Sequence, residues 1–441
     1  MKVLVAIWGS TGDILPSLAI GRELKRRGHA VAFAANPYFQ GLAERAGLEV
    51  LAVGERAHHE AMMADNDLFD AQRLSPIELL EKHYFPRMAD FHRVAAQAFA
   101  AGARVLVGGE LGSIAAAQVA GVPWFKVAAS PGGNTGIDSR SDPLHPERPM
   151  PRPLRWLAGS GRGVWLYWRL HHARHGLWRW PRLQGEAAFM TDEARAFRVA
   201  LGLRPEFDCA PREALCMWPA HFAPAQRDWP PRMRVCGFPL YPRPQPPLPR
   251  AERRLVVITT GTLAAAQDAF YDKAVAAFMR LGRPDLQALL VSPNQCHIPA
   301  SLPEGVRHVA HAPFDELIGR AALVVHHGGI GTAAYALAAG VPQLMMPMRG
   351  DQFDNANRVQ RLGTGRMMSA ARDSVDDIAR TMARLIDSES VAARCAHWRE
   401  RTDAETGVRQ AADRVETVVA PRRAGPRAGG ALAAAVSGSW R

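Results

Sequence analysis

The chain has 441 residues, 48% of them hydrophobic and 22% charged, which supports packed cores, favours two or three domains and excludes wholesale disorder. Lys and Arg outnumber Asp and Glu by 54 to 42, but arginine and alanine are enriched along the whole chain and no basic-aromatic motif of a nucleic-acid reader is present, so we expect no nucleic-acid partner. No apolar run approaches the roughly 20 residues of a membrane-spanning helix. Five cysteines without a CxxC pair or zinc-type Cys/His spacing argue against a disulfide scaffold and structural zinc, and indicate a reducing cytoplasm.

The N-terminal half alternates between short apolar runs and segments with helical periodicity. The opening run is too short for a signal peptide and predicts a first β-strand. The predicted strands are 3–7, 30–34, 104–107 and 124–127. The predicted helices are 15–27, 39–46 and 114–120. This alternation is typical of a doubly wound parallel sheet.

The C-terminal half repeats the same alternation. Its predicted strands are 255–259, 286–291, 306–309, 323–326 and 343–346. Its predicted helices are 269–281, 314–320, 332–339, 378–386 and 404–419. The expected fold class is therefore α/β, with two doubly wound, Rossmann-like domains facing each other across a cleft. Ligands then belong at the carboxyl ends of the strands.

A proline-rich stretch separates the two halves. Five prolines within residues 241–249 exclude a helix or a central strand. A final segment with four arginines and no acidic residue is expected to be disordered. The predicted parts are an N-terminal domain (1–240), a linker (241–252), a C-terminal domain (253–403), a helix packing back toward the N-terminal domain (404–419) and a basic tail (420–441).

The densest motif lies between a predicted strand and a predicted helix and reads His326-His327-Gly328-Gly329-Ile330-Gly331-Thr332. Small residues let the backbone approach a ligand closely, and a helix start offers unpaired N–H groups at the positive end of the helix dipole. A diphosphate suits such a turn, with His327 as a further donor and Thr332 as a hydroxyl. A glycine-rich turn with packing histidines is the alternative interpretation.

The residues after this turn extend the pattern with Gly340-Val341-Pro342-Gln343 and then with the stretch from Met346 to Ala356, which contains Asp351-Gln352. The block resembles the donor-binding signature of nucleotide-sugar glycosyltransferases with two Rossmann domains, the UDP-glycosyltransferase-like superfamily with the GT-B fold. The resemblance implies a donor-phosphate site formed by His327, Gly328, Gly331 and Thr332. It also implies that Asp351 and Gln352 hold hydroxyls of the donor sugar, whereas a helix cap is the alternative for Asp351.

Two more positions follow from the same resemblance. His311 stands where the family has a tryptophan that stacks on the nucleotide base, and an imidazole offers a smaller stacking area. Thr260-Gly261-Thr262 is similar to a family loop near the donor phosphates, which implies a donor contact at Thr262. An ordinary polar turn is the alternative for that loop.

The first predicted strand ends in Gly9-Ser10-Thr11-Gly12-Asp13. In the bacterial glycosyltransferases that the chain resembles, this loop faces the donor, which implies that Asp13 is the general base and that Ser10, Thr11 and Gly12 lie beside the acceptor. An acceptor hydroxyl is a poor nucleophile until its proton is removed, and a carboxylate with an ordinary pKa near 3.9 is ionised at neutral pH. A loop or helix cap is the alternative for Asp13. Glu110 lies near an orienting carboxylate of related plant enzymes, but the alignment slips there and predicts no role.

No metal or other cofactor is expected. Asp65-Asn66-Asp67 resembles the metal-binding D-x-D motif of single-domain glycosyltransferases, but no strand precedes it, and a turn is the better interpretation. The helix start and His327 must then offset the charge of the leaving diphosphate themselves.

Two features bear on the acceptor. Residues 155–183 hold five tryptophans among arginines and histidines, which suits an amphiphilic ligand or peripheral contact with the inner face of the plasma membrane. An amphipathic helix that closes over the cleft is the alternative. Residues 219–230 and 237–240 are similar to the rhamnosyltransferase of rhamnolipid synthesis.

These observations together predict an inverting, metal-independent hexosyltransferase of the cytoplasm. The resemblance implies transfer of L-rhamnose from dTDP-L-rhamnose to a hydroxyl of an apolar or lipid-like acceptor. Two alternatives remain open: a sugar-nucleotide epimerase on the same fold, and a non-catalytic partner of another transferase that binds a sugar nucleotide or a lipid.

Overall fold

The structure is a computed structural model of the chain. It describes residues 1–65, 80–131, 191–206, 210–225, 232–240, 253–261, 268–293, 298–348, 351–403 and 406–419. The predicted linker, the predicted basic tail and residues 155–183 lie outside the described residues.

The N-terminal domain is built on a sheet of seven parallel strands in the order β3-β2-β1-β4-β5-β6-β7. The strands are β1 (Lys2–Ala6), β2 (Ala30–Ala35), β3 (Glu49–Ala52), β4 (Val105–Gly108), β5 (Trp124–Ala128), β6 (Ala214–Cys216) and β7 (Met233–Val235). The described helices are α1 (Thr11–Arg26), α2 (Gln40–Arg45), α3 (Arg56–Ala64), α4 (Met88–Ala100), α5 (Leu111–Val119) and α6 (Asp192–Ala200).

The C-terminal domain is built on six parallel strands in the order β10-β9-β8-β11-β12-β13. The strands are β8 (Arg254–Thr259), β9 (Leu286–Val291), β10 (Val306–Val309), β11 (Ala321–His326), β12 (Gln343–Met345) and β13 (Gly365–Met367). The described helices are α7 (Asp268–Leu281), α8 (Phe314–Gly319), α9 (Ile330–Ala339), α10 (Asp351–Leu362), α11 (Val375–Asp387), α12 (Glu389–Arg399) and α13 (Thr406–Val419).

Both sheets confirm the predicted α/β, doubly wound fold class. Their central strands are continuous apolar runs, as expected for strands covered on both faces, and Val3 pairs with Val31 on one side and Val105 on the other. The strand order reverses between β1 and β4 in the first sheet and between β8 and β11 in the second. In open parallel sheets a ligand crevice forms at the carboxyl ends beside such a reversal.

Several elements were not predicted from the sequence. They are β3, α3, α4, α6, β6, β7, α10, β13 and α12. Strands of three or four residues are too short to show a period, and the edge strand β3 is only partly buried. Among the described residues, no helix combines the length and the apolar character needed to cross a bilayer.

The two domains contact each other through an apolar cluster. From the N-terminal domain it contains Trp218, Phe222 and Phe238, and from the C-terminal domain it contains residues of α9, β12 and α10. Both α9 and α10 begin at the carboxyl end of the second sheet, so the helices that start at the candidate site also form the domain interface.

Helix α13 lies against the N-terminal domain although it follows the C-terminal one. Its Val408, Ala411, Ala412 and Val415 belong to the core under α1. Its Arg414 donates to the buried Glu213 at 2.7 Å, and Arg27 of α1 donates to Glu416 at 2.8 Å. Packing and ion pairs together hold this helix on the first sheet.

Candidate active site

In the N-terminal domain, the loop after β1 carries the predicted base. Ser10 caps α1, followed by Thr11 and Gly12 in its first turn, and the half-buried Asp13 is the third helical residue. The Asp13 Oδ2 atom accepts hydrogen bonds from the backbone N–H and the hydroxyl of Ser10, both at 2.9 Å. Gly9 has φ +133°, and a Cβ atom there would lie 2.6 Å from the same carboxylate oxygen. The local geometry therefore fixes the position of the carboxylate and requires glycine above it.

Glu110 lies beside this loop at the strand reversal of the first sheet. It caps α5, and its Oε1 atom accepts a hydrogen bond from the Trp8 backbone N–H at 3.2 Å. Trp8 packs on the buried Tyr84 with ring centroids 5.3 Å apart. Burial, and then the nearby Glu110 carboxylate, raises the pKa of Tyr84 well above its ordinary value. Glu110 thus connects the loops after β1 and β4.

In the C-terminal domain, the turn between β11 and α9 carries the predicted diphosphate residues. Gly329 caps α9, so the N–H groups of its first turn point toward the carboxyl end of the sheet. Gly331 in that turn is exposed, with nothing within 4 Å of where a Cβ atom would stand, whereas Thr332 is buried. This is the local geometry that suits an anion at a helix start.

The buried His327 side chain lies inside this turn. A Cβ atom on Gly329 would lie 2.5 Å from its Nε2 atom, and one on Gly261 would lie 3.3 Å from its Cε1 atom. The loop after β8 therefore reaches the same imidazole as the turn after β11. The backbone N–H of Thr260, in that loop, donates to the Tyr271 hydroxyl at 3.1 Å. Thr262, the predicted contact in this loop, lies outside the described residues.

The predicted sugar-binding pair begins α10. Asp351 is the first residue of that helix and is half-buried, and its Oδ2 atom accepts a hydrogen bond from the Asn355 amide at 3.1 Å. Gln352 is buried and its Oε1 atom accepts the Met348 backbone N–H at 3.0 Å. Both side chains thus take part in local contacts at the helix start, beside the turn after β11.

His311 is exposed in the segment between β10 and α8, next to the buried Ala312. An exposed imidazole can reach a ligand from this position, but it forms no part of the packed turn around His327. Asp65, the first residue of the D-x-D motif, caps the end of α3 and pairs with Lys82 and His83 at 2.6 and 2.7 Å. Asp67 lies outside the described residues.

Three buried residues around the turn were not singled out from the sequence. They are His326, Gln343 and Asn355, each with no exposed surface. The signal in the sequence that could have identified them is a polar residue at the end of an apolar strand or on the apolar face of a helix. Such a residue needs hydrogen-bond partners, because it is buried.

Solved structures share this architecture, and other proteins are similar to the chain in sequence. The glycosyltransferase of kitacinnamycin matches with a TM-score of 0.67 and 22% identity, over 94% of this chain and 98% of that one. Spinosyn rhamnosyltransferase SpnG complexed with thymidine diphosphate matches with a TM-score of 0.63 and 19% identity, over 95% of this chain and all of that one (100%). O-mycaminosyltylonolide 6-deoxyallosyltransferase of Streptomyces fradiae is 27% identical over 94% of this chain and 97% of that protein.

Two doubly wound domains in contact, together with these relatives, define the class: the protein is a glycosyltransferase with the GT-B fold. Within that class, residues 280–417 match the family model described as erythromycin biosynthesis protein CIII-like, C-terminal domain. That match spans the β11–α9 turn and the start of α10.

Proposed function

We propose that the protein is an inverting, metal-independent glycosyltransferase. It moves a deoxyhexose, for which L-rhamnose is our first candidate, from a dTDP-sugar to a hydroxyl of an apolar acceptor. The observation that carries the proposal is the turn at the start of α9, where small residues, first-turn N–H groups and the His327 imidazole lie next to one another. A diphosphate is the part of a nucleotide sugar that such a turn fits.

The identity of the donor is supported by a named neighbour. A spinosyn rhamnosyltransferase of the same fold was solved with thymidine diphosphate. The names of the relatives above contain kitacinnamycin, spinosyn and O-mycaminosyltylonolide, compounds other than nucleic acid or protein, which is compatible with an apolar acceptor. The resemblance of residues 219–230 and 237–240 to the rhamnosyltransferase of rhamnolipid synthesis is the reason for proposing a lipid-like one. Residues 155–183 would then contact the acceptor or a membrane surface.

In the proposed reaction, Asp13 accepts the proton of the acceptor hydroxyl while its oxygen attacks the anomeric carbon. The new C–O bond forms as the bond to the diphosphate oxygen breaks on the opposite face, which inverts the anomeric configuration. The electron pair and negative charge pass to the diphosphate. His327 and the first-turn N–H groups of α9 stabilise that charge. Metal independence is proposed because Asp65 of the D-x-D motif is engaged with Lys82 and His83.

The proposal is tested by a binding screen and a transfer assay. In a thermal-shift screen, dTDP and dTDP-L-rhamnose should raise the melting temperature more than UDP and UDP-glucose, because a ligand stabilises the state it binds. Transfer should require an acceptor and persist in EDTA. Release of an epimerised sugar without acceptor would indicate the epimerase alternative, and binding without turnover would indicate the non-catalytic one.

Replacing Asp13 by Asn isolates the proposed base. Because a positioned general base contributes roughly 10²–10⁴-fold, we expect kcat to fall at least about a hundredfold while dTDP affinity stays unchanged. The matched control is Ser10→Ala, which keeps the carboxylate but removes one of its hydrogen bonds and should cost only about three- to tenfold. Full activity in Asp13→Asn would refute the assignment.

A further inference from the structure

The backbone of Gly328, within the phosphate turn (residues 327–332), is held on both sides of its Cα atom by buried side chains. Its N–H donates to the Nδ1 atom of His326 at 3.1 Å, and its carbonyl accepts the Nδ2 amide of Asn355 at 3.1 Å. His326 and Asn355 both have no exposed surface. Neither belongs to the predicted donor contacts, and together they fix the orientation of the two peptide groups that flank the Gly328 Cα atom.

The tautomer of His326 follows from its partners. Because a backbone N–H can only donate, Nδ1 must be the acceptor, and the ring proton of the neutral imidazole is then on Nε2. Nε2 lies 3.0 Å from the Oε1 atom of Gln343, which accepts that proton. The other end of the Gln343 amide donates to the Ala333 carbonyl of α9 at 3.5 Å. Burial lowers the pKa of His326 to about 4, so the ring is neutral at pH 7.

The orientation of the Asn355 amide is fixed in the same way. Its Nδ2 group donates to two acceptors, the Gly328 carbonyl and the Asp351 carboxylate, each at 3.1 Å. A flipped amide would point its oxygen at both acceptors and lose both hydrogen bonds. The Asn355 oxygen itself is buried without a hydrogen-bond partner among the residues that the structure describes. In the observed orientation the Asn355 amide therefore forms two N–H hydrogen bonds, while its oxygen accepts none from the residues that the structure describes.

The turn also touches α10 directly. Gly328 has φ +89°, and a Cβ atom there would lie only 2.7 Å from the Gln352 carbonyl oxygen. Only glycine allows this approach, and one amide, that of Asn355, then ties the turn to the Asp351 carboxylate. The turn after β11 and the first turn of α10 are thus joined by backbone packing and by a shared side chain.

We propose that Asn355 is a positioning residue that clamps the phosphate turn (residues 327–332) to the first turn of α10 (residues 351–354). His326 is a second positioning residue, which holds the same turn to β12 and α9 through Gln343. The clamp holds the groups proposed for the donor diphosphate at a fixed spacing from the groups proposed for the donor sugar. This inference rests on the proposed function for its effect on donors. Asn355 then governs recognition of the sugar, whereas His326 governs recognition of the diphosphate.

Hydrogen–deuterium exchange of the ligand-free protein tests the clamp without any donor. In Asn355→Ala, peptides covering the phosphate turn and the first turn of α10 should both exchange about three- to tenfold faster, as expected for loss of buried hydrogen bonds. The matched control is Asn357→Ala, a half-buried position on the same helix, which should leave both peptides unchanged. Faster exchange in only one of the two peptides, or in neither, would overturn the clamp.

Conservative variants separate positioning from general packing. His326→Asn keeps an acceptor for the Gly328 N–H and should retain exchange rates near those of the wild type, whereas His326→Leu should increase exchange in the phosphate turn. Equal effects of Asn and Leu at this position would overturn the hydrogen-bond role of His326. If Asn355→Ala unfolds, Asn355→Ser takes its place in every measurement.

A second experiment measures the affinities of dTDP and dTDP-L-rhamnose for each variant by titration calorimetry. Asn355→Ala should weaken dTDP-L-rhamnose about three- to tenfold and dTDP less than about twofold, whereas His326→Leu should weaken both ligands about three- to tenfold. Equal weakening of both ligands by Asn355→Ala would overturn its role toward the sugar. If the wild-type protein binds neither ligand, the proposed donor is wrong, and the exchange experiment alone decides the clamp.

Discussion

At the scale of single residues, His326 and Asn355 hold the backbone of Gly328 through buried hydrogen bonds, beside the side chains proposed to contact a donor. His327, Asp351 and Asp13 stand out because they lie in polar, glycine-rich loops after strands. His326 and Asn355 do not, because their importance comes from hydrogen bonds to residues brought close by the fold, 27 positions apart for Asn355 and Gly328. Hydrophobic periodicity in the sequence cannot predict hydrogen bonds between residues so far apart.

The neutral state of His326 makes a prediction about acid stability. Burial lowers its pKa from 6.5 to about 4, so the folded protein disfavours protonation of this ring. The stabilisation is fully present above about pH 6.5 and is lost as the pH falls through about 4. Between pH 7 and pH 4.5, His326 should account for a decrease of about 2 kcal/mol in the free energy of unfolding.

Urea unfolding at both pH values, in the wild type and in His326→Asn, measures this contribution. The decrease on acidification should be smaller in the variant by about 2 kcal/mol. His59 has a pKa lowered to about 4, chiefly by burial, and titrates in the same range, so the test is the difference between the two proteins. Identical decreases would show that His326 does not titrate in this range.

At the scale of elements, strand–helix alternation predicts the central strands well. Residues 3–6 and 256–258 are apolar on both faces and form the middle of their sheets. Strands at the margins are harder to predict, because β7 and β13 have only three residues each. Helix α12 was missed because its apolar residues form no clear stripe, and it contributes few fully buried side chains.

The docking of α13 depends on a buried carboxylate of the N-terminal domain. Burial opposes the charge of Glu213, but its contacts with Arg414 and Arg234 outweigh this effect and lower its pKa. Glu213→Gln removes the charge that Arg414 and Arg234 share; because both arginines are partly exposed, we expect a loss of about 1–3 kcal/mol in the free energy of unfolding. Hydrogen–deuterium exchange of the backbone amides of residues 406–419 should be faster in Glu213→Gln than in the wild type.

The matched control for this helix is Asp413→Asn. Asp413 pairs with Arg27, but its side chain is 60% exposed, and an exposed ion pair contributes only about 0–1 kcal/mol. Denaturant unfolding should therefore separate the two variants clearly. If the control destabilises α13 as much as Glu213→Gln does, the buried carboxylate has no special role in docking.

At the scale of the whole molecule, the sequence predicts two domains but not how they contact each other. The interface pairs residues that lie far apart in the chain: the Arg358 guanidinium donates to the Phe222 carbonyl at 3.4 Å across 136 positions. Arg358 is only 4% exposed and is paired with the buried Asp354 at 2.8 Å. A buried ion pair thus lies on α10, between the candidate donor site at its start and the N-terminal domain.

Replacing Arg358 by Met tests how strongly this interface couples the domains. Methionine fills a similar volume but removes the guanidinium that pairs with the buried Asp354 carboxylate, and loss of one member of a buried ion pair typically costs about 3–5 kcal/mol. We expect the wild type to unfold in one cooperative transition, and Arg358→Met to unfold at lower guanidinium concentration and over a broader range. Far-UV circular dichroism and tryptophan fluorescence should then give different midpoints, because the domains no longer unfold together.

The double variant Asp354→Leu/Arg358→Met distinguishes the buried charge from the lost contact with Phe222. With both charges removed the desolvation cost disappears, so most of the lost stability and the coincidence of the two probes should return. If the double variant is as unstable as Arg358→Met, the hydrogen bond to the Phe222 carbonyl, and not the ion pair, couples the domains. If neither variant changes the transition, the apolar cluster alone holds the domains together.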